Sequence, residues 1–461
     1  MGRDAIITDL AEAIRAAEPG GVIRLPPGLY ELAEVLFDKP IHLIGDGPRE
    51  QIEIHLSAPL HVSDSNVSMR GVTLVGRNPT PSQPSPAACA IYISHGSPQI
   101  ADCDITSETG SCIGIAGTGA APRLSDCRIH GAADSGILIS RSATPVFEHC
   151  EIAECKGLGL IAIDDAAPVL RDCRFRDGTG NGLVFGQRAK GLVHNCEIAG
   201  HELSNIVLQH EADPIFQSCI IRDGRQGGVF AREQARGSLE NCDIRGNAGA
   251  GVEISESSTS LTGCRIHGGL SHGILIVRRS ECWLDRCEVF ANQFVNLGVL
   301  QNSEATLNEC VIRDGASNGV TVKDGAMAIF RACQISGNAQ ANLAVAGRAT
   351  ATLRKCRIAS GRGAGVQCET DASVNLHECD IDANALPNIA ATRKGKIHVY
   401  DSLIHRGKQS GVLASMGGSV RLEHSRILEN AKFGVEAIGD GVIETIDCEL
   451  AGNRSGDRHS R

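Results

Sequence analysis

From about residue 100 to residue 450 the chain returns to one phrase of apolar and polar positions. A cysteine or serine marks each return, at 103, 127, 150, 173, 196, 219, 242, 264, 287, 310, 333, 356, 379, 402, 425 and 448; thirteen of the fifteen intervals are 23 residues. An apolar residue stands three before each anchor (Leu124, Phe147, Leu170, Val193, Phe216). Another stands two after it (Ile129, Ile152, Phe175, Ile198, Ile221). This spacing is close to period two, the signature of a strand. Gly or Asn recurs five and nine residues after the anchor, as in Gly178 and Gly182, Asn292 and Asn296, Gly315 and Gly319. Both residue types tolerate positive φ, so both columns are predicted to be sharp bends. A further strand follows, with apolar residues at alternate positions such as Ile137 and Ile139.

One repeat is therefore strand, bend, strand, bend, strand, with no room for a helix. A unit this small cannot bury its own apolar face and must stack on copies of itself. The predicted fold is all-β: a right-handed parallel β-helix of about 16–17 coils, equivalent residues stacking at about 4.8 Å. The anchor cysteines face the narrow core, where a small and weakly polar side chain is well tolerated, and are expected to be reduced. Residues 8–18 place Leu10, Ile14 and Ala17 on one helical face ahead of Pro19-Gly20-Gly21. They predict a helix that caps the open edge of the first coil. The expected organisation is a cap with the first strands over 1–40, the β-helix over 41–452 and a polar tail over 453–461. One Pro-rich stretch, residues 77–85, lies outside the repeat frame.

Composition narrows the partners. The chain has 461 residues, a net charge of -10, 53 glycines and 3% aromatics. No basic run offers a nucleic-acid surface, and no apolar run reaches the roughly 18 residues of a membrane span. The first residues lack a signal-peptide pattern, so the expected compartment is the cytoplasm, where thiols stay reduced. No cluster has metal-ligand spacing, and no cofactor or metal is expected.

The segment "PGGVIRLPPGLYELAEVLFDKPIHLIGDG" and the repeats after it resemble the pectate-lyase-like right-handed β-helix superfamily, including its carbohydrate-binding and sugar-hydrolase repeats. The resemblance implies the fold. It leaves activity open, because this fold hosts lyases, hydrolases, epimerases and non-catalytic scaffolds. The clustered acidic calcium ligands of such lyases have no counterpart here. Of the epimerase motif Asp-Pro-His-Asp only Asp213-Pro214 is present.

Two candidate surfaces remain. Two residues past the second Gly/Asn column, Leu138, Ile161, Val184, Val207 and Phe230 form an outward apolar column. Such a stripe is expected to dock a protein partner or a second copy of the chain. Three residues further on runs a polar column that includes Asp164, His210, Glu233 and Glu256. These are candidate acids and bases for polysaccharide chemistry, and stacked carboxylates can raise one another's pKa. The leading expectation is a cytoplasmic scaffold or binding module; the alternative is a carbohydrate-active enzyme.

Overall fold

The computed structural model describes residues 9–77 and 89–460, so most of the Pro-rich stretch lies outside the described residues. The chain folds as a right-handed parallel β-solenoid of about 19 turns, more than the cysteine anchors alone count, because coils begin as early as Gly21–Leu25. It falls into two compact units, Met1–Gln226 with Ala235–Ser238, and Gly227–Gln234 with Leu239–Arg461. Each coil gives one strand to each of three sheets. The coil of Cys150 contributes Val146–Glu148 to the first, Glu151–Ala153 to the second and Leu160–Ala162 to the third. Pairing is parallel and in register, so every residue lies beside its repeat equivalent, as in Val146↔Val169, Ile152↔Phe175 and Leu160↔Leu183.

In the first unit the helix Leu10–Ala16 precedes the first coil. Asp9 caps it, accepting a bond from the Glu12 N–H at 2.9 Å, and Leu10 and Ile14 are buried. At the other end, Gly456–Ser460, expected to be a polar tail, forms a strand beside Phe433–Ile438 in the second unit.

The anchor column is buried from Cys103 to Cys379, and its cysteines are thiols, not disulfides. It also bonds. The Cys173 thiol donates to the Arg171 carbonyl at 3.2 Å, and the Cys173 N–H donates to Cys196 Sγ at 3.4 Å. Ser402 replaces the thiol without loss. Its hydroxyl donates to the Tyr400 carbonyl at 2.9 Å and accepts the Cys379 N–H at 3.0 Å. Cysteine and serine share the column because both donate and accept. Burial raises the pKa of the thiols outside this column, as at Cys89 and Cys368, each pushed up to about 12.

The Gly/Asn columns need a different explanation from the one the sequence suggests. None of these residues has positive φ. Left-handed residues stand instead just before the anchor, at the fourth position after it and in the turn after the third strand, for example Asp172 at φ 54, Asp177 at φ 57 and Asp164 at φ 52. In the second unit Gly and Asn instead alternate coil by coil: Gly269 and Gly273, Asn292 and Asn296, Gly315 and Gly319, Asn338 and Asn342, Gly361 and Gly365, Asn384 and Asn388. These asparagines are fully buried. Asn338 Nδ2 donates to Asn342 Oδ1 at 2.8 Å, and Asn342 Nδ2 reaches past the glycine coil to Asn384 Oδ1 at 2.9 Å. Asn338 Oδ1 also accepts the Gly315 N–H at 2.9 Å. Glycine is required between these pairs for space. A Cβ on Gly319 would stand 2.4 Å from Asn338 Nδ2, and one on Gly315 would stand 2.7 Å from Asn296 Nδ2.

In the first unit His201 takes this column's place. It is 1% exposed, and its Nδ1 accepts the Gly178 N–H at 3.3 Å. Burial lowers its pKa from 6.5 to about 4.

Two predictions follow from the columns. Gly315→Asn should destabilise the protein by at least about 2 kcal/mol in urea unfolding, through crowding and a stranded amide. A bend that needed only positive φ would tolerate it. The His201 imidazole binds a proton more readily unfolded than folded. Its contribution to stability is therefore complete above about pH 6.5 and is lost as pH falls toward 4. His201→Asn, which supplies the amide used in the second unit, should remove this share of the acid destabilisation. Denaturation of both proteins at pH 7 and pH 4.5 should diverge; parallel losses would reject the assignment.

Candidate functional site

The outer face of the third sheet carries the apolar column, and the structure divides it. In the first unit Leu138, Ile161, Val184 and Val207 are in register on successive strands. Leu138 and Ile161 are half-buried, but Val184 and Val207 are only 5% and 6% exposed. The expected open apolar stripe is therefore closed over half its first-unit length. Phe230 belongs to the second unit, where it is half-buried and faces Glu253.

The polar column is a turn. Asp164, His210, Glu233 and Glu256 are all exposed and left-handed, with φ of 52, 49, 57 and 54. Asp164 and His210 are two coils apart in the first unit, with Gln187 between them. Glu233 and Glu256 are on adjacent coils of the second unit, joined by the Gln234 N–H donating to the Glu256 carbonyl at 2.8 Å.

Two residues absent from the sequence-derived candidates stand out in the second unit. Glu253 lies in register between Phe230 and Leu275. Desolvation beside these neighbours raises its pKa above 4.5, although the Arg278 charge pulls the other way. His272, half-buried at the turn of the next coil, stacks on Phe294 with ring centroids 5.5 Å apart and an interplanar angle of 22°. Burial lowers its pKa below 6.5. The available sequence signal was a lone carboxylate interrupting an apolar column.

Further along this face, in the same unit, lies a groove of about 510 Å³. Thr321, Ala344 and Gln367, in register on three strands, form its floor, and Gln340 and Arg362 stand on the turns beside it. Lys323 and Glu369 also line it, Glu369 paired with Arg393 at 3.4 Å. Among the described residues, no group of three His, Cys, Asp or Glu side chains is placed to hold a metal ion.

The family model for the right handed beta helix region matches residues 60–202, 111–261, 161–307, 204–351 and 295–455, which together run through most of the chain. The chain belongs to the right-handed β-helix family. No curated protein matches it. Similar solved structures include the periplasmic alginate epimerase AlgG, at 14% identity over 77% of this chain and 83% of that one, TM-score 0.46. The PL6 family alginate lyase AlyGC is 10% identical over 96% and 88%, TM-score 0.35. The A-module of the Azotobacter vinelandii mannuronan C-5 epimerase AlgE4 is 13% identical over 98% and 93%, TM-score 0.27. At these identities the likeness is one of fold alone.

The cytoplasmic expectation does not stand: nothing in the structure supports it, and AlgG, a protein of similar fold, is periplasmic. Of the cysteines all but Cys448 are buried, and anchor-column thiols such as Cys173 and Cys219 donate to backbone carbonyls.

Proposed function

We propose that this right-handed β-helix protein binds a polysaccharide along the outer face of the third sheet in its second unit and acts on it by acid–base chemistry. The observation that carries this reading is the half-buried Glu253, its carboxyl pushed toward the protonated form, in the outward column that reaches the groove floor at Thr321 three strands on, with His272 at the turn of the next coil. A carboxyl with a raised pKa can protonate a glycosidic oxygen, and an imidazole with a lowered pKa can accept a proton in its neutral form. Arg278, whose charge acts on Glu253, would keep the carboxylate tolerable after transfer. The groove suits a polyhydroxylated chain, since Thr321, Gln340 and Gln367 offer both donors and acceptors. Glu233 and Glu256, on the neighbouring turns, are positioned to hold ring hydroxyls. The acid–base roles considered for Asp164 and His210 would require a separate site in the first unit.

A panel of neutral and acidic polysaccharides, examined by affinity electrophoresis and by release of reducing or unsaturated ends, tests the proposal. Glu253→Gln should keep binding and lower turnover by at least about a hundredfold, the usual scale for losing a general acid. Gln367→Ala should weaken binding instead. Activity should fall at acid pH as His272 protonates and at higher pH as Glu253 ionises, giving an optimum between their ordinary values of 4.5 and 6.5. Absence of binding to every polymer would reject the reading.

A further inference from the structure

In the first unit, one pair of side chains has the geometry of a nucleophile and its base. His61 Nε2 and the Ser94 hydroxyl stand 2.7 Å apart. His61 belongs to the third-sheet strand Leu60–Val62. Its two neighbours on that strand are buried, so its own side chain faces outward. Ser94 directly follows the strand Cys89–Ile93, which pairs with Leu60–Val62. Both side chains are half-buried, held by neighbours yet open to solvent.

Register alone does not impose this contact. Parallel pairing sets His61 beside Tyr92, and Ser94 stands two residues further along. The imidazole reaches diagonally to the serine, with the Tyr92 ring against it at a centroid distance of 5.2 Å. The first sheet provides the contrast. There His42 and Ser68 are directly in register, and their 2.8 Å bond through Nδ1 is an ordinary cross-strand pair. At His61 the bond runs through Nε2. With the ring proton on Nδ1, the serine hydroxyl donates to Nε2, the arrangement in which an imidazole can withdraw a serine proton.

A glycine-rich turn packs against the pair. Gly117, Thr118 and Gly119 follow the strand Ser111–Ala116 of the next coil. Gly117 and Gly119 have φ of 127 and 100, which glycine adopts without strain. The approach is close. A Cβ on Gly117 would stand 2.9 Å from the Ser94 carbonyl oxygen, and one on Gly119 would stand 2.9 Å from His95 Cε1. Thr118 and Gly119 are exposed, and among the described residues their N–H groups meet no backbone acceptor.

We propose that Ser94 and His61 form a catalytic dyad that hydrolyses carboxylic esters. Ser94 Oγ attacks the ester carbonyl carbon as its proton passes to His61 Nε2. The N–H groups of the 117–119 turn stabilise the oxyanion that forms. The carbon–oxygen bond to the alcohol then breaks, and His61 gives its proton to the departing alkoxide, leaving Ser94 acylated. Water attacks the acyl-serine while His61 again takes a proton. The carboxylic acid leaves and Ser94 regains its hydrogen, so one ester and one water yield one acid and one alcohol. Esters are the substrate class because, among the described residues, no carboxylate bonds to His61 to support its charged form. An alkoxide needs less proton assistance to leave than the amine of an amide. This activity is independent of the polysaccharide site, whose residues all lie in the second unit.

A fluorophosphonate probe, which bonds covalently to an activated serine, tests the assignment on the full chain. Peptide mapping after labelling should place the adduct on Ser94, and the protein should hydrolyse p-nitrophenyl acetate. Ser94→Ala should abolish both signals, and His61→Gln should lower the hydrolysis rate at least about a hundredfold, the usual scale for losing a general base. His42→Gln, at the cross-strand pair, should leave both unchanged. Circular dichroism controls for folding, and mapping the adduct on the unaltered protein decides the matter where a variant fails to fold. Absence of an adduct on Ser94, or ester hydrolysis that survives Ser94→Ala, overturns the proposal.

Discussion

The structure rests on one constraint: because pairing is parallel and in register, every residue must tolerate a near-copy of itself above and below. Apolar side chains meet it without effort, which explains the uniform inward columns. Polar side chains meet it only in particular ways. Cysteine and serine can stack because each both donates and accepts, so one residue's hydroxyl or thiol takes the amide of the coil before it while its own hydrogen goes to a turn carbonyl. Asparagine pairs occupy alternate coils, and the glycine pairs between them leave room for amides to join across the gap. Charged residues on the second sheet alternate in sign, as in Glu151 with Arg176 and Glu197 with Arg222. Exposed pairs of this kind add little stability, roughly 0–1 kcal/mol each; their main effect is to spare the column its own repulsion.

The same constraint explains what could be read from the sequence. Identity at a fixed interval is visible in one dimension, so the 23-residue period, the inward columns and the helix over Leu10–Ala16 were all legible. Relations between different coils were harder. Gly and Asn were read as equivalent because both tolerate positive φ, whereas in the second unit they are complementary: one residue fills the space that the other leaves. The signal was present as strict alternation from Gly269 to Asn388, a two-coil period hidden inside the one-coil period. The left-handed residues escaped notice because they vary freely, from Asp177 to Ala291 to Arg406. Turn position, and not residue preference, sets their conformation.

The candidate site was less legible for a related reason. Stacking predicts which residues share a column and which way they face, but not what lies over them. Val184 and Val207 point outward in register and are nevertheless covered. Glu253 and His272 have no counterpart in their own columns, so no repeat analysis would select them as a pair. Their significance comes from partial burial beside Phe230, Leu275 and Phe294, a property of the folded surface.

In a repeat fold of this kind, function is therefore best sought where a column departs from its own pattern. A regular sheet is flat, and a flat sheet holds no ligand. Along the groove in the second unit the outward column reads Thr321, Ala344 and Gln367, where the first unit carries Leu138, Ile161, Val184 and Val207, and Ala344 is the smallest of them. A side chain as small as Ala344 lowers the floor there, while the turns bearing Gln340 and Arg362 stand as walls. The backbone ladder that supports both is unchanged, so the cavity costs no hydrogen bond. The apolar area given up lies on the outside of the coil, where its loss costs far less than a cavity of the same volume in the core. A β-helix can thus acquire a binding cleft by substitution on one face alone, leaving the inward columns that hold the coils together untouched.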